Sequence, residues 1–221
     1  MRQPPVFAVN RLSDVASCVE ILRDSLPLGA EMRVFEAKGE GRLMELFLLT
    51  GEVAGILDWT PIELTATMLG TPYAAGPDRM TAAALRGIPQ VIALTGADLV
   101  LIGQDVPEPF ASRRFVTLQS GIQAMRTSPR ECDRLGKEIA EKASASRGPT
   151  AIFIPLRGLS RFSVIGGPFE DREADAALFQ SIRNHVSTDV EVVECDAHAD
   201  DEEFKKGVVK RLLEMARTQS P

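Results

Sequence analysis

The sequence predicts an α/β protein: a doubly wound, Rossmann-like, mostly parallel sheet of about six strands with helices on both faces. Three observations lead there. Short apolar runs rich in β-branched residues recur along the chain, as strands covered on both faces require. Between them lie segments whose apolar residues follow helical spacing. Alternation of the two implies parallel strands joined by right-handed crossovers. A TIM barrel would need eight such units, and only about six are readable.

In chain order the expected strands are Val6–Val9, Met32–Ala37, Val53–Leu57, Gln90–Leu94, Ala151–Ile154 and Val190–Glu194. A first helix carries the stripe Leu12, Val15, Ala16, Val19, Leu22 and Leu26. Two starts share one pattern, Thr60-Pro61-Ile62-Glu63 and Ser128-Pro129-Arg130-Glu131: a hydroxyl cap, proline in the first turn and glutamate three after the cap. On this reading Glu63 belongs to a capping box. The turn Gly76-Pro77-Asp78 opens a helix through Met80, Ala83, Ala84 and Leu85. Later helices follow from Cys132, Leu135, Gly136, Ile139 and Ala143, from Ala174, Leu178, Ile182 and Val186, and from Phe204, Val208, Leu212 and Met215. The last opens on Asp200, Asp201, Glu202 and Glu203 and turns basic at Lys205, Lys206, Lys210 and Arg211, which suits the helix dipole. Residues 96–127 show no clear period. They form either an excursion over the sheet or a contact in a homo-oligomer. The expected organisation is one α/β domain over residues 1–221.

Composition narrows the classes. Of 221 residues, 44% are hydrophobic and 25% charged, and 25 Lys+Arg against 31 Asp+Glu give a net charge of −6. Such a chain suits a general nucleic-acid clamp poorly. Cys18, Cys132 and Cys195 form no CxxC pair, so a disulfide framework is not expected and a reducing cytoplasm is the expected compartment. No apolar run reaches the roughly 18 residues of a membrane span, and MRQPPVFAVN lacks the long apolar stretch of a signal peptide.

Open parallel sheets bind ligands beyond the carboxyl ends of their strands. That rule turns strand ends into candidate sites. Gly39 and Gly41 flank a turn that either is structural or cradles phosphate on backbone N–H groups. Asp58, Asp98 and Asp196 each follow a strand. They either cap local structure or converge to hold Mg²⁺, with Asp58 and Asp98 the candidate metal ligands. Arg79, Arg126 and Arg157 suit two-pronged contact with phosphate or carboxylate. Together they favour a small anionic ligand. His198 lies beside Asp196, an arrangement that can orient an imidazole for base chemistry, with Asp98 as a catalytic partner. His185 reads as structural. Trp59 either packs in the core or stacks on a base. No GxSxG or P-loop motif is present.

Several strings coincide with one family: GEVAGILDWTPIELTATMLG, AAGPDRMTAAALRGIPQVIALTGADLVLIG, MRTSPRE, IFIPLRGLS, GGPFEDREADAALF and ECDAHADDEEF. In this the chain resembles the ATP-binding proteins related to the plant tobamovirus-resistance protein. Typical members are about twice as long, with two Rossmann-like halves, and this chain resembles the second. The resemblance implies ATP with Mg²⁺ as ligand and a separate first-half subunit as partner. Carried over by position, the matching residues are Asp58, Thr60, Glu63, Gly76, Pro77, Arg79, Gly96, Asp98, Arg126, Thr127, Gly158, Ser160, Asp196, His198 and Asp200. In FEAKGEGRLME, Glu36 stands where the family carries histidine, and one glycine fewer is present. Two functions differ from nucleotide binding: a regulatory domain that contacts protein, and a metal-assisted hydrolase built on the aspartates and His198.

Overall fold

A computed structural model describes residues 4–13 and 18–218. Its main sheet has six parallel strands in the order β2-β1-β3-β4-β8-β9. They are β1 (Val6–Arg11), β2 (Glu31–Glu36), β3 (Gly55–Asp58), β4 (Gln90–Ala93), β8 (Thr150–Pro155) and β9 (Glu191–Cys195). Each coincides with an expected strand to within two residues at either end. β3, β4 and β8 are buried along their whole length, which explains their uninterrupted apolar runs.

The helices are α1 (Val19–Ser25), α2 (Gly41–Thr50), α3 (Ile62–Leu69), α4 (Ala82–Arg86), α5 (Pro129–Ser144), α6 (Arg172–His185) and α7 (Glu202–Thr218). One core cluster joins Val19 and Leu22 of α1 and Phe204, Val208 and Leu212 of α7 to one face of the sheet. On the other face, Leu135 and Ile139 of α5 meet Leu178 and Ile182 of α6, while Met44 and Leu48 of α2 meet Ala82 and Ala83 of α4. The sheet is therefore covered on both sides, the doubly wound arrangement the alternation required. Val15 and Ala16 of the expected first stripe lie outside the described residues.

The two expected capping boxes part company. Ser128 accepts a hydrogen bond from the Glu131 N–H, and Glu131 answers on the Ser128 N–H at 2.7 Å. At α3 the cap position is Pro61, without a side-chain cap bond, and Glu63 is used elsewhere. α4 also starts later than expected, because Met80 takes a left-handed conformation at φ 67° and holds the chain out of the helix for another residue.

Residues 96–127, without a readable period, contain a second sheet. Its strands β5 (Leu99–Gly103), β6 (Phe115–Thr117) and β7 (Gln123–Arg126) pair antiparallel in the order β5-β7-β6. β5 does carry an apolar run, Leu99-Val100-Leu101-Ile102, but β6 and β7 are only three and four residues long with neither alternation nor an apolar run, and a register shift interrupts the pairing of β5 between Leu101 and Gly103. The small sheet ends at Arg126 and delivers that side chain to the carboxyl side of the main sheet.

Candidate functional site

The strand order reverses between β1 and β3. In doubly wound sheets that switch point opens the crevice in which ligands bind. Here the chain fills the crevice with its own charges. Arg79 is wholly buried. Its Nη1 and Nη2 donate to Asp58 Oδ2 and Oδ1 at 2.6 and 2.7 Å, its Nε donates to Glu63 Oε2 at 3.0 Å, and Nη1 reaches Glu45 Oε1 at 3.3 Å. Burial alone would lower the Arg79 pKa. The Asp58, Glu63 and Glu45 carboxylates overcome that and raise it, so the guanidinium is permanently charged.

The glycine turn closes the same cluster. The N–H groups of Gly39 and Gly41 donate to Glu63 Oε1 at 3.0 and 2.9 Å, and Asn10 Nδ2 donates to Oε2 at 3.1 Å. The turn does bind an anion, and the anion is the side chain of Glu63. A Cβ on Gly41 would stand 2.1 Å from Glu63 Oε2, which is why this position is glycine. Glu45 plays the matching part at the start of α4, where it accepts from the N–H groups of Met80, Thr81 and Ala82. Thr60 is buried beside the cluster, its Oγ1 accepting from the Leu12 N–H. The Gly76 N–H donates to Thr67 Oγ1. Trp59 is packed against Phe204 in the core rather than presented as a stacking surface.

A second polar group lies toward β8. Asp98 is fully buried. Its Oδ2 accepts from Ser160 Oγ at 2.6 Å, while Oδ1 is enclosed without a hydrogen-bond partner. Burial raises its pKa, against the opposing pull of Arg126 and Ser160. Arg126 donates through Nη1 to the Asp98 carbonyl at 3.0 Å and through Nη2 to Asp175 Oδ1 at 2.6 Å. Burial pushes the Asp175 carboxyl up to about 6, with Arg126 only partly restoring it. The Gly96 N–H is spent on the Leu159 carbonyl.

At the carboxyl ends of β8 and β9 the surface opens into a cavity of about 850 Å³, within the usual range for small-molecule sites. One wall is the loop after β8 with Leu156, Arg157, Gly158, Ser163, Val164 and Ile165. The facing wall is α6 with Arg172, Asp175, Ala176 and Phe179, and His198 and Glu170 complete the lining. Gly158 holds φ at 140°, and a Cβ there would meet His198 Cδ2 at 2.6 Å, so the loop can fold down only without a side chain.

The candidates thus divide. Gly39, Gly41, Asp58, Thr60 and Arg79 gather at the switch point, where one another, the Glu63 and Glu45 carboxylates and the surrounding backbone engage them. Asp98, Arg126 and Ser160 form the buried group behind the cavity, and Arg157, Gly158 and His198 line it. Asp58 and Asp98 do not fit a metal ion as placed. Both oxygens of Asp58 are held by Arg79, and the one spare oxygen of Asp98 is enclosed. Among the described residues, no three of His, Cys, Asp and Glu come together in a group able to hold a metal. His198 is not paired with Asp196. Its Nε2 meets the Ser160 carbonyl at 3.0 Å and its Nδ1 accepts from the Asp200 N–H at 3.0 Å, while Asp196 makes a two-pronged pair with Arg157 on the surface. His185 Nδ1 lies 2.8 Å from the Ser181 carbonyl in α6.

Glu45 and Asp175 were not among the candidates. A signal for Glu45 existed: it is the one acid within the apolar run Leu43-Met44-Glu45-Leu46-Phe47-Leu48-Leu49. Asp175 carried none, because acids in the first turn of a helix are ordinary.

Comparison with known proteins finds similar sequences. A family model described as the C-terminal domain of an uncharacterised protein family, UPF0261, matches residues 5–216. A UPF0261 protein of Clostridium tetani is 38% identical over 218 residues, covering 96% of this chain and 54% of the relative. A UPF0261 protein of Mesorhizobium japonicum is 33% identical, covering 96% and 55%. The ToMV resistance protein Tm-1 of Solanum lycopersicum is 28% identical over 207 residues, covering 90% of this chain and 27% of that protein. The chain spans about half the length of the two bacterial relatives.

Proposed function

This chain belongs to the UPF0261 C-terminal domain family, and on that footing we propose that it binds a nucleotide or a comparable small phosphorylated molecule in the cavity at the ends of β8 and β9. The observation that carries the reading is the contrast between two places on one rim. The switch-point crevice is filled by Arg79 and its carboxylates, whereas the cavity between the β8 loop and α6 is open and of ligand size. Its lining is mostly apolar, from Leu156, Val164, Ile165, Ala176 and Phe179, and also carries Arg157, Arg172 and His198 together with Glu170 and Asp175. An apolar body with an anionic end matches that lining. The family resemblance carried by the sequence strings implies ATP, which makes it the first ligand to try.

The test is a thermal melt with ATP at millimolar concentration, with and without Mg²⁺. A rise in melting temperature that is lost in Arg172→Ala supports the reading. Folded protein with an unmoved melting temperature argues against it. The geometry lends nothing to metal-assisted hydrolysis, since Asp58, Asp98 and His198 are engaged with separate partners.

A second reading rests on a different observation. On α2 the outward residues Leu43, Leu46 and Leu49 are 61%, 57% and 48% exposed, and Leu85 of α4 beside them is 54% exposed. By contrast, α5 turns Arg130, Asp133, Arg134 and Lys137 to solvent. A leucine face of this kind favours a protein contact. The relatives' additional half is the partner to test, by co-purification. No helix among the described residues is long and apolar enough to cross a membrane.

A further inference from the structure

The α6 wall of the cavity has a chemical order. Arg172, Asp175, Ala176 and Phe179 all line it. At about 1.5 Å of rise per residue, Asp175 stands ~4.5 Å and Phe179 ~10 Å along the axis from Arg172. A cation thus comes first, a hydrogen-bond acceptor next, and an apolar ring last. Those are the needs of phosphate, sugar and base, in the sequence and at roughly the spacing in which a nucleotide presents them.

Asp175 is built as an acceptor. Its Oδ1 is tied to Arg126 Nη2 at 2.6 Å, and Arg126 is only 2% exposed and held on its other side by the Asp98 carbonyl and Thr127 Oγ1. That anchorage fixes the plane of the carboxylate. The other oxygen, Oδ2, makes no hydrogen bond to a described residue, and the side chain keeps 19% of its surface open at the cavity. Arg172 is the least committed cation of the lining, 80% exposed with only a 3.7 Å contact to Glu170. Arg157, by comparison, is already matched by Asp196.

We propose that Asp175 accepts hydrogen bonds from the sugar hydroxyls of a nucleotide whose phosphates lie toward Arg172 and whose base lies toward Phe179. This rests on the cavity being the nucleotide site. Asp175 is thereby the specificity residue, and Arg126 is a positioning residue that acts through it.

The experiment compares ATP with 2′,3′-dideoxy-ATP by calorimetric titration of the full chain. Hydrogen bonds to a charged acceptor predict ATP binding on the order of 10-fold tighter. In Asp175→Ala the two ligands bind alike. A role confined to holding Arg126 would weaken both equally and leave their ratio intact, which overturns the proposal. Arg172→Ala, an exposed change that does not endanger folding, lowers affinity for both ATP and its dideoxy analogue and preserves their ratio. If the wild-type chain binds the two ligands equally, the assignment of Asp175 fails while the cavity reading stands. If it binds neither, both fail.

Discussion

Arg79 and Asp58 meet through two parallel hydrogen bonds, 2.6 and 2.7 Å long, at the one point on the sheet where strand order reverses. Neither is open to water, and Glu63 and Glu45 stand around the same guanidinium. The expected result of Arg79→Met is therefore severe. It leaves three buried carboxylates without their cation, and removing one partner from a buried ion pair costs about 3–5 kcal/mol. Urea denaturation would read this as a lowered midpoint. A loss under about 1 kcal/mol would mean that the cluster is hydrated and does not hold the loops.

Gly41→Ala tests the closeness of that packing. The added Cβ would lie 2.1 Å from Glu63 Oε2 and 2.8 Å from Arg79 Nε, two atoms already bonded to each other. Overpacking of this kind costs about 1–3 kcal/mol. Glu63→Asp in the same background retracts the carboxylate and should return part of the loss, as a double-mutant cycle in urea would show.

Asp175 makes stability depend on pH. Its folded pKa of about 6 lies above the ordinary value near ~3.9, so the unfolded chain ionises the group more readily. The contribution is fully present below the unfolded pKa and is lost as pH rises through the folded one. Asp98, raised by burial, acts in the same direction. Relative to Asp175→Asn, the wild type should gain about 1 kcal/mol between about pH 7.5 and about pH 5. Paired urea curves at the two pH values measure it, and parallel behaviour of the two proteins would contradict it.

The cysteines should react in order of access. Cys18 and Cys132 are buried, and burial pushes their thiols up to about 12 and about 11. Cys195 is partly exposed. Under native conditions a thiol reagent should modify Cys195 first, with Cys18 and Cys132 following only at the rate of unfolding. Peptide mapping after timed quenching distinguishes this from uniform labelling.

The centre of the main sheet was legible because β3, β4 and β8 are buried along their whole length, and uninterrupted apolar runs such as Val91-Ile92-Ala93 betray that directly. The small antiparallel sheet was not. β5 has an apolar run, Leu99-Val100-Leu101-Ile102, but its partners β6 and β7 have three and four residues and no apolar pattern to announce a second sheet. At the rim, the sequence showed which residues stand at strand ends but not what they face. The string Thr60-Pro61-Ile62-Glu63 satisfies every local rule for a capping box, yet Glu63 turns to Arg79 and to the amides of Gly39 and Gly41. A long-range charge partner outweighed a local one, and no spacing rule along the chain records that choice. His198 differs in kind: adjacency to Asp196 in sequence suggested a pair, and strand geometry instead sends Asp196 outward to Arg157.

The Glu63 carboxylate has a kinetic corollary. It joins the loop before α2 to α3, and Arg79 and Glu45 extend the join to the segment leading into α4. These pieces are far apart in the chain but cannot loosen one at a time, because freeing any of them strands a charge in the others. The amide protons of Gly39, Gly41, Met80 and Ala82 should therefore exchange with deuterium through one shared excursion, as a single cooperative unit of the rim.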